Sequence, residues 1–361
     1  MACSDLVAPT PPRNNGGAAG HRTHPHDILT TTGITQEKIM KAITQDRYGS
    51  ADVLQLRDIE QPTPGEHEVV VKVEAAGIAR GVIHVMTGEP YLMRIMGFGL
   101  RKPKSPVLGQ DVAGTVTETG PGVTRLKVGD EVFGIARGSF AEFAVAREDK
   151  LTSKPEKLTF TQAAAMPISG LTALRALDAA GVTVGSDVLV IGASGGVGTY
   201  AVQVARALGA TVTGVASAAK ADLVTSLGVH RVIDYTSEDF ADGSHRYDAV
   251  IDTGGMTSVA RLRRALQPKG TLVIVGGESG SKWSPGMGRQ LQASAISPFV
   301  SQRLTSILNK EHYSGLDRLA QLAVRGEVVP SIERTYPLAD APDAVRQLEA
   351  GQVRGQVVIV P

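Results

Sequence analysis

Chemistry in this chain concentrates first at Gly192-Ala193-Ser194-Gly195-Gly196-Val197-Gly198, which lies between an apolar run and a helix-like pattern. Glycines let the backbone turn sharply and let amide N–H groups approach an anion closely, and the helix beyond adds its positive N-terminal end. That context implies a pyrophosphate-binding turn, with Gly192, Ser194, Gly195, Gly196, Val197 and Gly198 as cofactor-binding residues. A merely tight strand-to-helix turn is the bland alternative. The same letters also match G-x-S-x-G, a nucleophile elbow that would make Ser194 the nucleophile of a serine hydrolase. Asp252 and His312 follow in an order compatible with such a triad.

The next strand bears on which dinucleotide fits. A site for NAD usually places Asp or Glu about 20 residues after the glycines, to hold the ribose 2′-hydroxyl. Here the strand runs out as Gly214-Val215-Ala216-Ser217-Ala218-Ala219-Lys220, without an acid. Lys220 can attract a 2′-phosphate and Ser217 can donate a hydrogen bond to it, so NADPH is the expected cofactor. A solvated lysine at a helix start is the plainer reading of Lys220.

These residues need elements to position them. Val188–Ile191 reads as a buried strand, and Val197, Ala201, Val204, Ala205 and Leu208 share one helical face that Gly209 terminates. Strand Val212–Ala216, helix Lys220–Leu227 stopped by Gly228, strand Ala249–Ile251, helix Val259–Leu266 and strand Thr271–Val275 follow. Repeated strand–helix alternation calls for a doubly wound parallel sheet. Before it, Glu68–Val73, Val112–Val116, Glu131–Ile135 and Phe140–Val145 read as short strands with Gly and Pro turns, a compact β-rich unit. The terminal strand Gln356–Val360 could rejoin that first unit.

Composition sets outer limits. The chain has 361 residues, enough for two domains, with 37 Lys plus Arg against 36 Asp plus Glu. So even a balance provides no global field for nucleic acid or a membrane surface, and any charged partner must be met by a local cluster. Cys3 is the only cysteine, which rules out an intrachain disulfide and a multi-thiolate metal site. No apolar run approaches the roughly 20 residues of a membrane span, and no secretory signal is evident, so a cytoplasmic protein is expected. Residues 1–38 are rich in Pro, Gly, Thr and Asn and read as a disordered extension. The run from His21 to His26 within them reads as solvated histidines.

Several stretches, taken in order, resemble the medium-chain dehydrogenase/reductase superfamily. They are Val107-Leu108-Gly109-Gln110-Asp111-Val112-Ala113-Gly114, Gly129-Asp130-Glu131-Val132-Phe133-Gly134, Ala163-Ala164-Ala165-Met166-Pro167, Gly170-Leu171-Thr172-Ala173, the glycine loop, and Gly355-Gln356-Val357-Val358. The chain from Met40 to Pro361 is most similar to the quinone oxidoreductase (zeta-crystallin-like) branch and the zinc-free NAD(P)-dependent alcohol dehydrogenases near it. The resemblance implies an α/β protein: a GroES-like β-rich catalytic domain, residues 40–164 and 297–361, around a Rossmann domain, residues 165–296. It implies that Lys220 and Tyr235 contact the 2′-phosphate, that Thr172 lies near the nicotinamide ribose, and that a homodimer forms.

Departures from the family matter as well. Zinc-dependent relatives have a cysteine in the segment that here reads Ala75-Ala76-Gly77-Ile78-Ala79-Arg80 and a His-Glu pair where this chain has Gln110-Asp111, and they carry a four-cysteine lobe. The Asn and Asp common in quinone reductases are replaced by Ala79 and Val82. Hydride transfer without a metal needs hydrogen-bond donors or a general acid for the developing oxyanion. By resemblance the stretch Arg80 to Tyr91 lines the substrate cleft, so His84, with Arg80 and Tyr91, is the catalytic candidate. A satisfied core histidine is the other reading of His84. The implied activity is zinc-independent reduction by NADPH of a small-molecule quinone or an α,β-unsaturated or simple carbonyl. Zinc-independent alcohol/aldehyde interconversion with NADP is the alternative. A serine hydrolase and a non-catalytic NADPH-binding protein are retained from other classes.

Overall fold

A computed structural model describes residues 38–276, 287–307 and 311–361 of the chain. The expected extension, apart from Lys38, and its histidine run lie outside the described residues. Lys38–Pro361 forms one compact unit.

The β-rich part is organised around strand Glu68–Gly77, which is flanked antiparallel by Asp111–Thr119, Phe143–Arg147 and the terminal strand Gln356–Val360. Paired so widely, it is buried on both faces: Val69, Val70, Val71 and Val73 are all inside, and Lys72 is exposed. The sheet continues through Glu131–Ile135 to Leu151–Ser153, and on its other side Ile332–Pro337 pairs with the terminal strand. Val358 opposite Gly77 and Ile359 opposite Ala76 bring the chain's end back to its beginning. The strand expected at Phe140–Val145 runs instead from Phe143 to Arg147. Phe140 is fully buried in the preceding turn, where its N–H donates to Leu108 O.

A second sheet holds six parallel strands in the order Arg231–Asp234, Thr211–Ala216, Asp187–Ile191, Tyr247–Asp252, Leu266–Ile274 and Arg303–Ser306. Numbered along the chain this is the doubly wound order 3-2-1-4-5-6. Val188, Leu189 and Val190 are fully buried, as a parallel sheet covered on both faces requires. Gly209 and Gly228 take left-handed φ of 83° and 80° and end their helices as expected. Helix Val259–Arg264 stops short of Leu266, which instead begins the fifth strand and pairs with Tyr247. Lys220 closes a 3-10 turn, Ala218–Lys220, and the α-helix proper is Ala221–Ser226. Arg303–Ser306 adds an edge strand to this sheet, so the segment after 297 does not pass directly to the β-rich part as expected. Four residues with a single fully apolar member, Leu304, carry too weak a strand signal to read; the edge offered by Leu266–Ile274 decides it.

Helix Pro167–Ala180 joins the two sheets. It packs against helices Gly196–Ala207 and Tyr313–Val324, and its apolar cluster includes Ala75, Ala113 and Phe133 of one sheet with Val188, Val190 and Ile251 of the other. One continuous core therefore fixes the site's two walls.

Candidate cofactor and substrate site

Gly192 leaves strand Asp187–Ile191 with φ 79°, and a side chain there would meet Thr253 Oγ1 at 2.7 Å and Gly254 N at 3.0 Å. Those two residues follow strand Tyr247–Asp252, so the loop sits where the sheet's order reverses, and Thr253 Oγ1 donates to Ile191 O at 2.7 Å. Gly198 approaches Gly192 O so closely that a Cβ would lie 2.0 Å away. Gly195, the N-cap of helix Gly196–Ala207, differs: a Cβ there meets only Gly192 O, at 3.4 Å. The first helical bond runs from Thr199 N to Gly195 O, leaving the amides of residues 196–198 without an intrahelical acceptor. Open space at Gly195, free amides and a 12-residue helix make a cradle suited to a pyrophosphate.

The end of the chain closes over this cradle. Gly355 N donates to Ser194 O at 2.9 Å, and Gln356 Nε2, buried and without a partner among the described residues, lies 3.0 Å from a Cβ built on Gly196. Ser194 cannot serve as the nucleophile of the triad considered above. Asp252 is fully buried, pairs with Arg289 and accepts from Gly255 N, so its turn-capping role is accompanied by an ion pair. Burial pushes its carboxyl above the ordinary range, against the pull of Arg289. His312 caps helix Tyr313–Val324 by accepting from Ser314 N. No histidine bonds Ser194 among the described residues.

Around the end of the second strand, Lys220 N donates to Ser217 O, and Tyr235, 58% exposed, donates its N–H to Ala216 O. Ser217, Lys220 and Tyr235 thus gather at two adjacent strand ends. Lys220 is not a solvated lysine: Nζ donates at 2.9 Å to both Gly351 O and Val353 O. Burial holds its pKa below the usual lysine value, and the charges of Arg354 and Arg80 act in the same direction against Glu333. Arg354, which pairs with Asp222, is a second cation at this corner. It precedes Gly355-Gln356 in sequence, but no local pattern marks it; only the return of the last strand brings it here. Asp234, the acid at the third strand's end, accepts from Thr236 N and Oγ1 and caps the 218–220 turn, which holds it below the carboxylate range. Thr172 is buried in helix Pro167–Ala180.

The substrate-side candidates lie apart from the lining of the cavity beside them. A cavity of about 220 Å³ is lined by Val82, Val85, Phe98, Lys104, Leu108 and Gln110 among others, but not by His84, Arg80 or Tyr91. Residues 82 and 85 fall on one face of helix Gly81–Thr87, whereas His84 turns away. Its Nδ1 donates to Glu89 O at 2.9 Å. Arg80 is exposed, and its charge is felt at Lys220. Tyr91 stacks beneath Arg94, whose guanidinium also covers Tyr48 and donates to Gly88 O and Thr87 O. Gln110, noted in the sequence only as a departure, lines the cavity with its carboxamide unpaired among the described residues. Its neighbour Asp111, buried, accepts from Ile168 N at 2.7 Å and so ties the cavity floor to the helix carrying Thr172. Burial raises the Asp111 carboxyl well above its ordinary value.

Comparison with known proteins places the fold in a family. Residues 65–156 match the family described as alcohol dehydrogenase GroES-like domain, and residues 227–359 match zinc-binding dehydrogenase. The mitochondrial NAD(P)H oxidoreductase RTN4IP1 of Bos taurus is 33% identical over 385 residues, covering 91% of each chain. The solved quinone oxidoreductase of Coxiella burnetii is 32% identical with a TM-score of 0.80, covering 90% of this chain and all of that one. A mycobacterial structure complexed with NADPH is 30% identical with a TM-score of 0.76, covering 89% of this chain and 100% of its own.

Proposed function

Since this chain belongs to the medium-chain dehydrogenase/reductase superfamily, in its quinone oxidoreductase-like branch, and is an NADPH-binding oxidoreductase, we propose that it reduces a quinone or an α,β-unsaturated or simple carbonyl without zinc. The carrying observation is an apolar cavity whose lining offers one unpaired carboxamide, that of Gln110. NADPH supplies the hydride when bound. In this reading the amides after Gly195 hold its pyrophosphate, Lys220 with Ser217 and Tyr235 holds the 2′-phosphate, and Thr172 faces the ribose side. Gln110 Nε2–H donates to the substrate oxygen and strengthens its bond as negative charge develops there. Val82, Val85 and Leu108 exclude water, and the product oxyanion is protonated by solvent at the rim, where Lys104 stands. Residues 75–80 and Gln110, standing where zinc-dependent relatives have ligands, supply neither a thiolate nor an imidazole. A homodimer in the cytoplasm completes the reading; no described helix is long and apolar enough to cross a membrane.

A screen of NADPH oxidation across quinones, enones, enals and aldehydes tests this, with alcohols and NADP⁺ as the reverse arm. Turnover is expected on quinones or conjugated carbonyls. Faster oxidation of alcohols than any reduction, or activity lost on chelation and regained with zinc, would overturn the proposal.

A further inference from the structure

We propose that the segment from Arg94 to Lys104 docks this protein on an anionic lipid surface. Between Glu89 and Asp111 the sequence contains Arg94, Arg101, Lys102 and Lys104 and no acidic residue, in a chain whose total charge is only +1. Whole-chain charge gave no reason to expect a membrane surface; the local cluster does.

The structure holds the backbone of this segment firmly while turning its large side chains outward. Tyr48 Oη donates to Phe98 O at 3.0 Å and Gly99 O at 2.7 Å, Lys104 N donates to Phe98 O at 2.9 Å, and Arg94 is fastened to the turn at Thr87 and Gly88. Ile95, Phe98 and Leu100 are nevertheless 66%, 43% and 68% exposed. Arg101, Lys102 and Lys104 are exposed beside them. No carboxylate pairs with Arg101 or Lys104 among the described residues. The acid near Lys102 is Asp46, and both its oxygens are already bonded by Arg57.

Three protruding apolar side chains bordered by three cations fit the boundary between headgroups and acyl chains, where apolar burial and attraction to anionic lipid add. A second copy of the chain fits poorly, because a two-fold contact would set these cations against each other without an acid to relieve them. Gly97, Phe98, Pro103 and Lys104 also line the cavity, so docking would set its mouth at the layer where apolar quinones dissolve. That last point rests on the function proposed above.

The test is flotation of the full chain with phosphatidylcholine vesicles and with vesicles of phosphatidylcholine and phosphatidylglycerol. Binding to the anionic vesicles is expected at low salt, weakening as salt rises. A cation near such a surface is worth about fivefold in affinity, so Arg101→Glu with Lys102→Glu should cost at least about 25-fold. Ile95→Ser with Leu100→Ser should cost about tenfold or more. None of these four residues lines the cavity, so both variants should keep their melting temperature and their turnover of a water-soluble quinone. Loss of that turnover in the wild type, with vesicle binding intact, would count against the proposed function and leave docking supported. A wild type that stays unbound with anionic vesicles, or binding unchanged in both variants, overturns docking. Sedimentation velocity adds the remaining outcome: self-association lost in the Ile95/Leu100 variant, with vesicles ignored, would assign the patch to a second copy.

Discussion

Lys220, Gln110 and His84 show how much a residue's role depends on what its polar atoms already hold. Lys220 Nζ gives two of its three N–H groups to backbone carbonyls, so a 2′-phosphate there meets one remaining donor. A charge-assisted hydrogen bond contributes about 1.5–3 kcal/mol, or roughly ten- to a hundredfold, and a single remaining donor places Lys220→Ala at the low end. NADPH affinity should fall about tenfold, while NADH is nearly unchanged; equal weakening of both in fluorescence titrations would refute the assignment. Gln110→Leu keeps the volume and removes the donor. Because the bond strengthens as the oxyanion forms, kcat should fall by about 10²-fold with KM little affected. Near wild-type kcat would show that another group polarises the substrate. His84→Phe loses the bond to Glu89 O, so a stability loss of about 1 kcal/mol is expected, with kcat retained. A large kcat loss in a variant that melts normally would return His84 to the reaction.

Among the elements, the glycine loop separates two uses of glycine. At Gly198 the neighbour is backbone, Gly192 O, within 2.0 Å of a built Cβ. Gly198→Ala must therefore push the helix off the loop, at a cost of about 1–3 kcal/mol, and thermal melting and cofactor affinity should both suffer. Gly195 has φ −84°, which any residue adopts, and only one atom within 4 Å of a Cβ. Gly195→Ala should leave melting unchanged yet weaken NADPH and NADH alike, because the methyl occupies space the pyrophosphate needs. Matched losses of stability in the two variants would make the loop a structural turn rather than an anion cradle. Sequence spacing identified this loop and its helix; it could not say which glycines face the chain and which face a ligand.

For the whole molecule, the buried carboxyl of Asp111 couples folding to pH. Its folded-state pKa is raised by burial, so the native protein holds this proton more tightly than the unfolded chain does. Its contribution is complete below the ordinary aspartate pKa and is lost as pH rises through the raised folded value. Asp111→Asn keeps an oxygen for Ile168 N and removes the titration. The variant should lose the part of the pH slope that this group causes and gain stability relative to wild type as pH rises. Parallel denaturation curves for variant and wild type across that range would show that Asp111 ionises normally in the fold.

The sequence by itself determined the parts whose cause is local. Continuous apolar runs and a period-3.6 pattern marked the parallel sheet's main strands and the helix after the glycine loop, and a lack of acid beyond Ala216 pointed to a phosphorylated ribose. Gly209 and Gly228 end helices because their own backbones must turn left-handed. Tertiary structure decided what depends on segments far apart in the chain. Strand Gln356–Val360 returns to Glu68–Gly77 and carries Arg354 and the Gly351 and Val353 carbonyls to Lys220. Helix Gly81–Thr87 presents Val82 and Val85 to the cavity and directs His84 to Glu89, a rotation that the motif's letters do not encode. Gln110 comes to line the cavity, and Ile95, Phe98 and Leu100 come to lie exposed, through packing around them. Such roles arise from the positions of neighbours brought by the fold, and local propensity contains no information about those.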